Sequence, residues 1–130
     1  MNGLLLDTHV VLWLLDDSPR LGARARDRVQ RDGVVYISAA STWELAIKAA
    51  IGKISLPDDL DGAIDRSGLR DLAVTRRHTL ASDIAALPQK DPFDALLVAQ
   101  ATVERLTLLT ADAMLLEALP AACDVLDART

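Results

Sequence analysis

The chain has 130 residues, 51% of them hydrophobic, with 14 Lys and Arg against 19 Asp and Glu and a net charge of −5. One domain spanning 1–130 is expected, because a core of this size can bury about two-thirds of the unfolded surface without a disulfide or structural metal. The pI of about 4.8 argues against a general nucleic-acid binder, which carries a basic footprint. The single Cys123 excludes an internal disulfide and suits a reducing compartment. No run reaches the ~20 apolar residues of a membrane span, and the start lacks the basic region of a secretion signal. A cytoplasmic protein with no membrane association is expected.

Leu4-Leu5-Leu6 is too short for a helix and sized for a buried strand. DTHVVLWLLDD (7–17) follows as a helix that Ser18-Pro19 ends. LGARARDRVQRD (21–32) reads as a second helix, with Leu21, Ala25 and Val29 on one stripe. After the Asp32-Gly33 turn, VVYI (34–37) reads as a buried strand. Ser41 to Ile51 reads as a helix stopped by Gly52, and DDLDGAIDRSG (58–68) as a weak one. LRDLAVT (69–75) is a short strand, and RHTLASDIAAL (77–87) a helix ended by Pro88. DPFDALLVAQATVERL (91–106) is a strong helix with Pro92 at its first position and a stripe of Leu96, Ala99, Val103 and Leu106. LTLLT (106–110) is a strand, ADAMLLEAL (111–119) a helix stopped by Pro120, and CDVLD (123–127) a last strand. Strands thus alternate with helices, and most strands are apolar throughout. This is the pattern of an α/β fold with a mainly parallel sheet covered on both faces.

In such sheets ligands bind beyond the carboxyl ends of the strands. Acids recur there. Asp7 directly follows the first strand, Glu44 lies a few residues past the second, and Asp112 lies two past LTLLT. Asp94 opens the helix leading into that same strand. Taken singly, each has a plain structural reading. Asp7 could cap the following helix. Ser41-Thr42-Trp43-Glu44 matches a capping box, and Glu44 stands four residues before Lys48, the favourable order for an ion pair. Asp91-Pro92-Phe93-Asp94 matches a cap, a first-position proline and a first-turn acid. Thr110 or Asp112 could cap the short helix after its strand.

The conjunction needs more than caps, because Ser, Thr or Asn would cap as well. If the strands are adjacent, four carboxylates share one pocket and cannot all stay ionised without compensation. A hard cation with oxygen ligands removes that conflict. Mg²⁺ takes a few carboxylates and keeps waters that a phosphate can displace, whereas no Cys/His cluster suggests zinc. Such a site suits phosphodiester hydrolysis, with metal to activate water and a carboxylate to orient or deprotonate it.

At this point the sequence resembles PIN-domain ribonucleases, specifically the VapC toxins of bacterial toxin–antitoxin pairs. The matching pieces are LLLDTHVVLWLL (4–15), SAASTWELAIKAAIGKISLP (38–57), DPFDALLVAQA (91–101) and LLTADAML (108–115). The resemblance implies a three-layer α/β/α sandwich and Mg²⁺- or Mn²⁺-dependent RNA cleavage. It also implies inhibition by a VapB-like antitoxin and a homodimer. Residue by residue, it maps an acidic quartet onto Asp7, Glu44, Asp94 and Asp112, with Thr110 as the hydroxyl companion of the last acid. Asp7 and Asp94 are then the direct metal ligands. Glu44 and Asp112 bind a second metal, act through water or set the charge of the site.

Lys48 and Lys90 neighbour Glu44 and Asp94 and are candidate phosphate contacts. His9 falls about 200° from Asp7 on a helical wheel, which makes it a surface or structural residue. His78, beside Arg76 and Arg77, reads as part of a solvated helix end, and Trp13 and Trp43 as core or interface anchors. Cys123 reads as a buried small apolar residue. With two Trp, one Tyr and one Phe, base stacking is not the main binding term. Two other functional classes share parts of this pattern. One is a non-catalytic metal-binding domain that only recognises a partner. The other is a phosphatase-like hydrolase, which lacks support because no Gly-rich phosphate loop follows any strand.

Overall fold

The computed structural model describes residues 3–87, 90–118 and 123–130. The expected stops at Pro88 and Pro120 lie outside these residues. The strands are β1 (Leu4–Leu6), β2 (Val35–Ser38), β3 (Arg70–Leu72), β4 (Thr107–Thr110) and β5 (Val125–Asp127). They form one sheet in the order β3-β2-β1-β4-β5, and every pairing is parallel. The helices are α1 (Thr8–Leu15), α2 (Ala23–Arg31), α3 (Ala39–Ala50), α4 (Leu60–Ser67), α5 (Arg76–Ala81), α6 (Pro92–Glu104) and α7 (Ala113–Ala118).

Alternation along the strands splits the core between two faces. Leu4, Leu6, Val35, Ile37 and Leu109 pack with Val10, Val11, Ala25 and Ile64 from α1, α2 and α4. Leu5 and Leu108 face the other way and pack with Ala95, Leu97 and Ala101 of α6 and Leu115 of α7. Helices therefore cover both faces, which makes the expected three-layer α/β/α sandwich. The chain first lays β1, β2 and β3 outward in one direction, then returns to the other side of β1 for β4 and β5. That reversal puts the switch point between β1 and β4.

Several element ends differ from expectation. Helix α1 stops at Leu15 rather than running to Asp17. Asp17 is left-handed (φ 50°), and the Ser18 and Asp17 amides donate to the Trp13 and Leu14 carbonyls at 2.8 and 3.3 Å, a Schellman closure. Helix α3 starts at Ala39, not Ser41, because Ser38 caps it by accepting from the Ala40 amide. No Ser41–Glu44 capping box forms, and Glu44 sits in the second turn. The helix expected over 77–87 breaks after Ala81. Ser82 turns extended while its hydroxyl donates to the Thr79 carbonyl at 2.7 Å, competing with the helix ladder. A 3₁₀ turn, Ile84–Ala86, follows.

His78 is not part of a solvated helix end but is buried, at 2% exposure. Its Nδ1 accepts from the Thr75 amide at 3.1 Å, so its Nε2 carries the proton toward Glu104, 3.1 Å away. Beside it, buried Gln100 accepts from the Ser38 hydroxyl and donates to the Ala73 carbonyl. Cys123 is half-buried at the edge of the α6–α7 core, and burial raises its thiol pKa.

Candidate functional site

A cavity of about 370 Å³ opens beyond the carboxyl ends of β1 and β4, at the switch point where α/β folds bind ligands. Asp7, Glu44, Asp94 and Asp112 all line it, joined by Asp91. The fold thus brings the four acids of the sequence reading to one place from four separate elements. Each arrives by a different local route.

Asp7 leaves β1 with its amide bonded to the Leu109 carbonyl of β4 at 2.9 Å. Its carboxylate accepts from the Thr8 amide at 2.7 Å and from the Thr110 hydroxyl at 2.6 Å. Thr110, fully buried at the end of β4, thus orients Asp7, and its oxygen also accepts from the Asp112 amide at 3.1 Å. Burial pushes the Asp7 carboxyl pKa up, against the pull of those two hydrogen bonds.

Glu44 is buried but compensated. One oxygen accepts from the Thr8 hydroxyl at 2.7 Å, and the other pairs with Lys48 at 2.7 Å. Ser41 stands 3.1 Å from the same Thr8 hydroxyl. The hydrogen bond with Glu44 raises the Lys48 pKa, and charges on Asp91 and Asp94 add to it. Asp112 caps α7, accepting from Met114 and Leu115 through Oδ1. Asp91 caps α6, accepting from the Phe93 and Asp94 amides at 2.8 and 3.2 Å.

Asp94 differs from its neighbours. Its carboxylate has no hydrogen-bond partner among the described residues. Burial, and then the charges of Asp7, Asp91, Asp112 and Glu44, push its pKa up to about 7. The cap readings therefore hold for Asp7, Asp91 and Asp112, and Asp94 is the expected first-turn acid of α6; Glu44 makes the expected ion pair with Lys48 but no capping box. Capping and facing the cavity are not exclusive, because each carboxylate oxygen has a second lone pair.

The chemistry of the donor set fits a hard cation. All its free acceptors are carboxylate oxygens, and their mutual repulsion is what a cation relieves. Among the described residues, no three His, Cys, Asp or Glu side chains are arranged to hold one ion. Carboxylate oxygens are the ligand type that hard cations such as Mg²⁺ take, with waters completing the shell.

His9 is exposed, as expected of a surface residue, and it also lines the cavity. The helical wheel set it apart from Asp7 by treating Asp7, an extended cap residue (φ −64°, ψ 155°), as helical. Other expectations need correction. Lys48 lines the cavity, but Lys90 does not belong to its wall. Lys90 stands exposed in a left-handed turn (φ 52°) before α6. Trp43 is 63% exposed and no core anchor, while Trp13 packs on the core and reaches the cavity. Arg129 also lines the cavity and was missed. The rule that found Asp7, applied to the residues just past β5, points to it.

The protein is thus a doubly wound α/β protein with an acid-lined cleft at its switch point. A profile of the PIN domain matches residues 4–119, and the chain belongs to the PIN domain family. No curated protein sequence matches it. Solved structures share its fold. A chain of the DNA-bound VapBC of Salmonella typhimurium is 21% identical, with a TM-score of 0.72 over 98% of each chain. A chain of VapBC2 from Rickettsia felis, bound to a promoter DNA fragment, is 15% identical, with a TM-score of 0.67 over 96% of this chain and 98% of that one. A chain of FitAcB from Neisseria gonorrhoeae is 22% identical, with a TM-score of 0.66 over 95% and 96%.

Proposed function

We propose that the chain is a single-domain, metal-dependent endoribonuclease, the VapC-type toxin of a cytoplasmic toxin–antitoxin pair. One observation carries the reading. Asp94 is a carboxylate without a hydrogen-bond partner among the described residues, its pKa raised to about 7 by burial and by the acids around it. An acid kept in that state costs stability and serves no cap, which argues for a ligand that repairs it.

Asp94 and Asp7 would hold Mg²⁺ or Mn²⁺, with the free oxygen of Asp112 beside them. The bound metal would supply Lewis-acid stabilisation of the phosphodiester and a more acidic water. The chain's own groups prepare the site. Thr110 and the Thr8 amide fix the Asp7 carboxylate in one orientation. Lys48 balances Glu44 and so lowers the net negative charge the cation must offset, while Glu44 holds the Thr8 hydroxyl in place. One of the cavity carboxylates would orient the attacking water or take its proton.

The partner part of the reading draws on the fold relatives, several of which were solved as VapBC complexes. Exposed Trp43 and Ile51 on and after α3 and Leu80 on α5 supply apolar surface for a VapB-like antitoxin and for a homodimer.

The test is RNA cleavage by the purified chain in Mg²⁺ or Mn²⁺, unaltered and as Asp7→Asn or Asp94→Asn. Cleavage that both variants abolish, with unfolding curves unchanged or improved, is the expected result. Full activity in both variants would sink the assignment. Binding of Mn²⁺ with no RNA cleavage at any metal concentration would point instead to a non-catalytic partner-recognition domain.

A further inference from the structure

We propose that Arg129 is a phosphate-binding residue for the RNA strand, aimed into the acidic cavity by Asp127; this rests on the ribonuclease reading above. Asp127 ends β5, and the next residue, Ala128, donates its amide to the Thr110 carbonyl at 2.8 Å. The segment is thereby pinned to the end of β4, next to the hydroxyl that orients Asp7. Ala128 itself is fully buried. Arg129 follows immediately, and its position is set by buried backbone rather than by a free tail.

The guanidinium is gripped along one edge. Arg129 Nε donates to Asp127 Oδ1 at 3.0 Å and Nη2 to Oδ2 at 2.9 Å. The Arg129 amide donates to the same Oδ1 at 2.9 Å. An arginine has five N–H donors in a rigid fork. Two are spent on Asp127, so Nη1 and the second proton of Nη2 remain. The side chain is 51% exposed and lines the acidic cavity, where those donors can be reached.

Charge in the cavity wall gives this a direction. Lys48 is committed to Glu44 at 2.7 Å. Arg129 has its carboxylate partner on its own segment, so its remaining edge owes nothing to the five acids of the wall. A polyanion approaching those acids meets repulsion wherever no cation stands. A pre-oriented guanidinium edge matches two phosphate oxygens at once, which an ammonium cannot do. The ligand chemistry it fits is a phosphodiester of the strand lying across the cavity.

The test separates a phosphate contact from a stabilised C-terminal turn. In the cleavage-inactive Asp94→Asn chain at fixed Mg²⁺, the affinity for a short labelled single-stranded RNA is measured across a salt series. Arg129→Ala should weaken binding about tenfold. It should also lower the slope of log affinity against log salt by about 0.7, the release from one phosphate of a single strand. A purely structural role would not move that slope. Arg129→Lys should recover the slope but only part of the affinity. Arg24→Ala, an exposed arginine on α2 that removes the same charge, should change the slope little. Unchanged affinity and slope in Arg129→Ala overturn the proposal, as does an equal loss in Arg24→Ala. Failure of the ribonuclease reading looks different. The unaltered chain then cleaves no RNA, the Asp94→Asn chain binds none at any salt concentration, and both inferences fall together.

Discussion

Two polar clusters lie beside this sheet, and they are built on opposite rules. Around His78 and Gln100, donors meet acceptors. The Ser38 hydroxyl, the Gln100 amide, the Ala73 carbonyl, the Thr75 amide, the His78 ring and Glu104 are linked by hydrogen bonds of mixed polarity. Every buried side-chain nitrogen and oxygen of this cluster has a partner. Such a network fixes how α5 and α6 sit on β2 and asks for nothing further. At the switch point, acids meet acids. Asp7, Asp91, Asp94, Asp112 and Glu44 face one cavity with Lys48 and Arg129 as the cations in its wall. Both clusters are partly buried, so burial alone does not mark a functional site. What sets the second cluster apart is like charge without full compensation.

Substitutions can break that contrast, the largest effect coming first. Asp94→Asn should reduce RNA cleavage by 10²-fold or more, measured as kcat/KM, about 3 kcal/mol of transition-state stabilisation. The same change should leave unfolding in metal-free buffer unchanged or shifted upward, because it removes one of the crowded charges. A variant that loses activity by unfolding would erase the distinction between the two clusters. His78→Ala should do the reverse. It leaves the Thr75 amide, Glu104 and Gln100 short of a partner and should cost about 2–3 kcal/mol in denaturant unfolding. Under native conditions its metal-dependent cleavage should persist.

A third prediction concerns pH. An acid with a folded pKa of about 7 against an ordinary 3.8 binds more protons folded than unfolded between those values. Stability contributed by protonated Asp94 is therefore fully present below about 4 and is lost as pH rises through about 7. Thermal unfolding of the metal-free chain should fall across that window, and less so in Asp94→Asn. Added Mn²⁺ should raise the midpoint more above pH 7 than at pH 5, since it binds the ionised acids. The smallest effect is expected at Asp112. Asp112→Asn keeps a good cap for α7 and should change stability by less than about 0.5 kcal/mol, while cleavage falls. Equal activity there would reduce Asp112 to its cap.

Most of the architecture was legible in the sequence, for reasons that particular elements make plain. Leu4-Leu5-Leu6 and Leu108-Leu109 are apolar on both sides because helices cover both faces, and that pattern survives without any knowledge of contacts. The ends were less legible. Ser38 and Ser41 are equally good caps on paper. Ser38 took the role because β2 delivers it to the helix start in an extended conformation (φ −77°, ψ 144°). His78 looked solvated beside two arginines, and only α6 packing against α5 shows that Glu104 and Gln100 enclose it.

The acids followed the same division. Their types and their places after strands were in the sequence, because a carboxylate next to an apolar strand is costly wherever the chain goes. What they do with their oxygens was not. Pairwise distances between residues as far apart as Thr110 and Asp7, or Glu44 and Thr8, come from strand order and helix packing. Those contacts leave Asp7 oriented, Glu44 neutralised and Asp94 alone. Arg129 belongs to the same class. Its place just past a strand was in the sequence, but it reaches the cavity because β5 pairs with β4 in a register that sets Thr110 beside Asp127. Local patterning determined the elements and the supply of charged groups. The parallel sheet, by bringing distant strand ends together, decided which charges were matched and which were left facing one another.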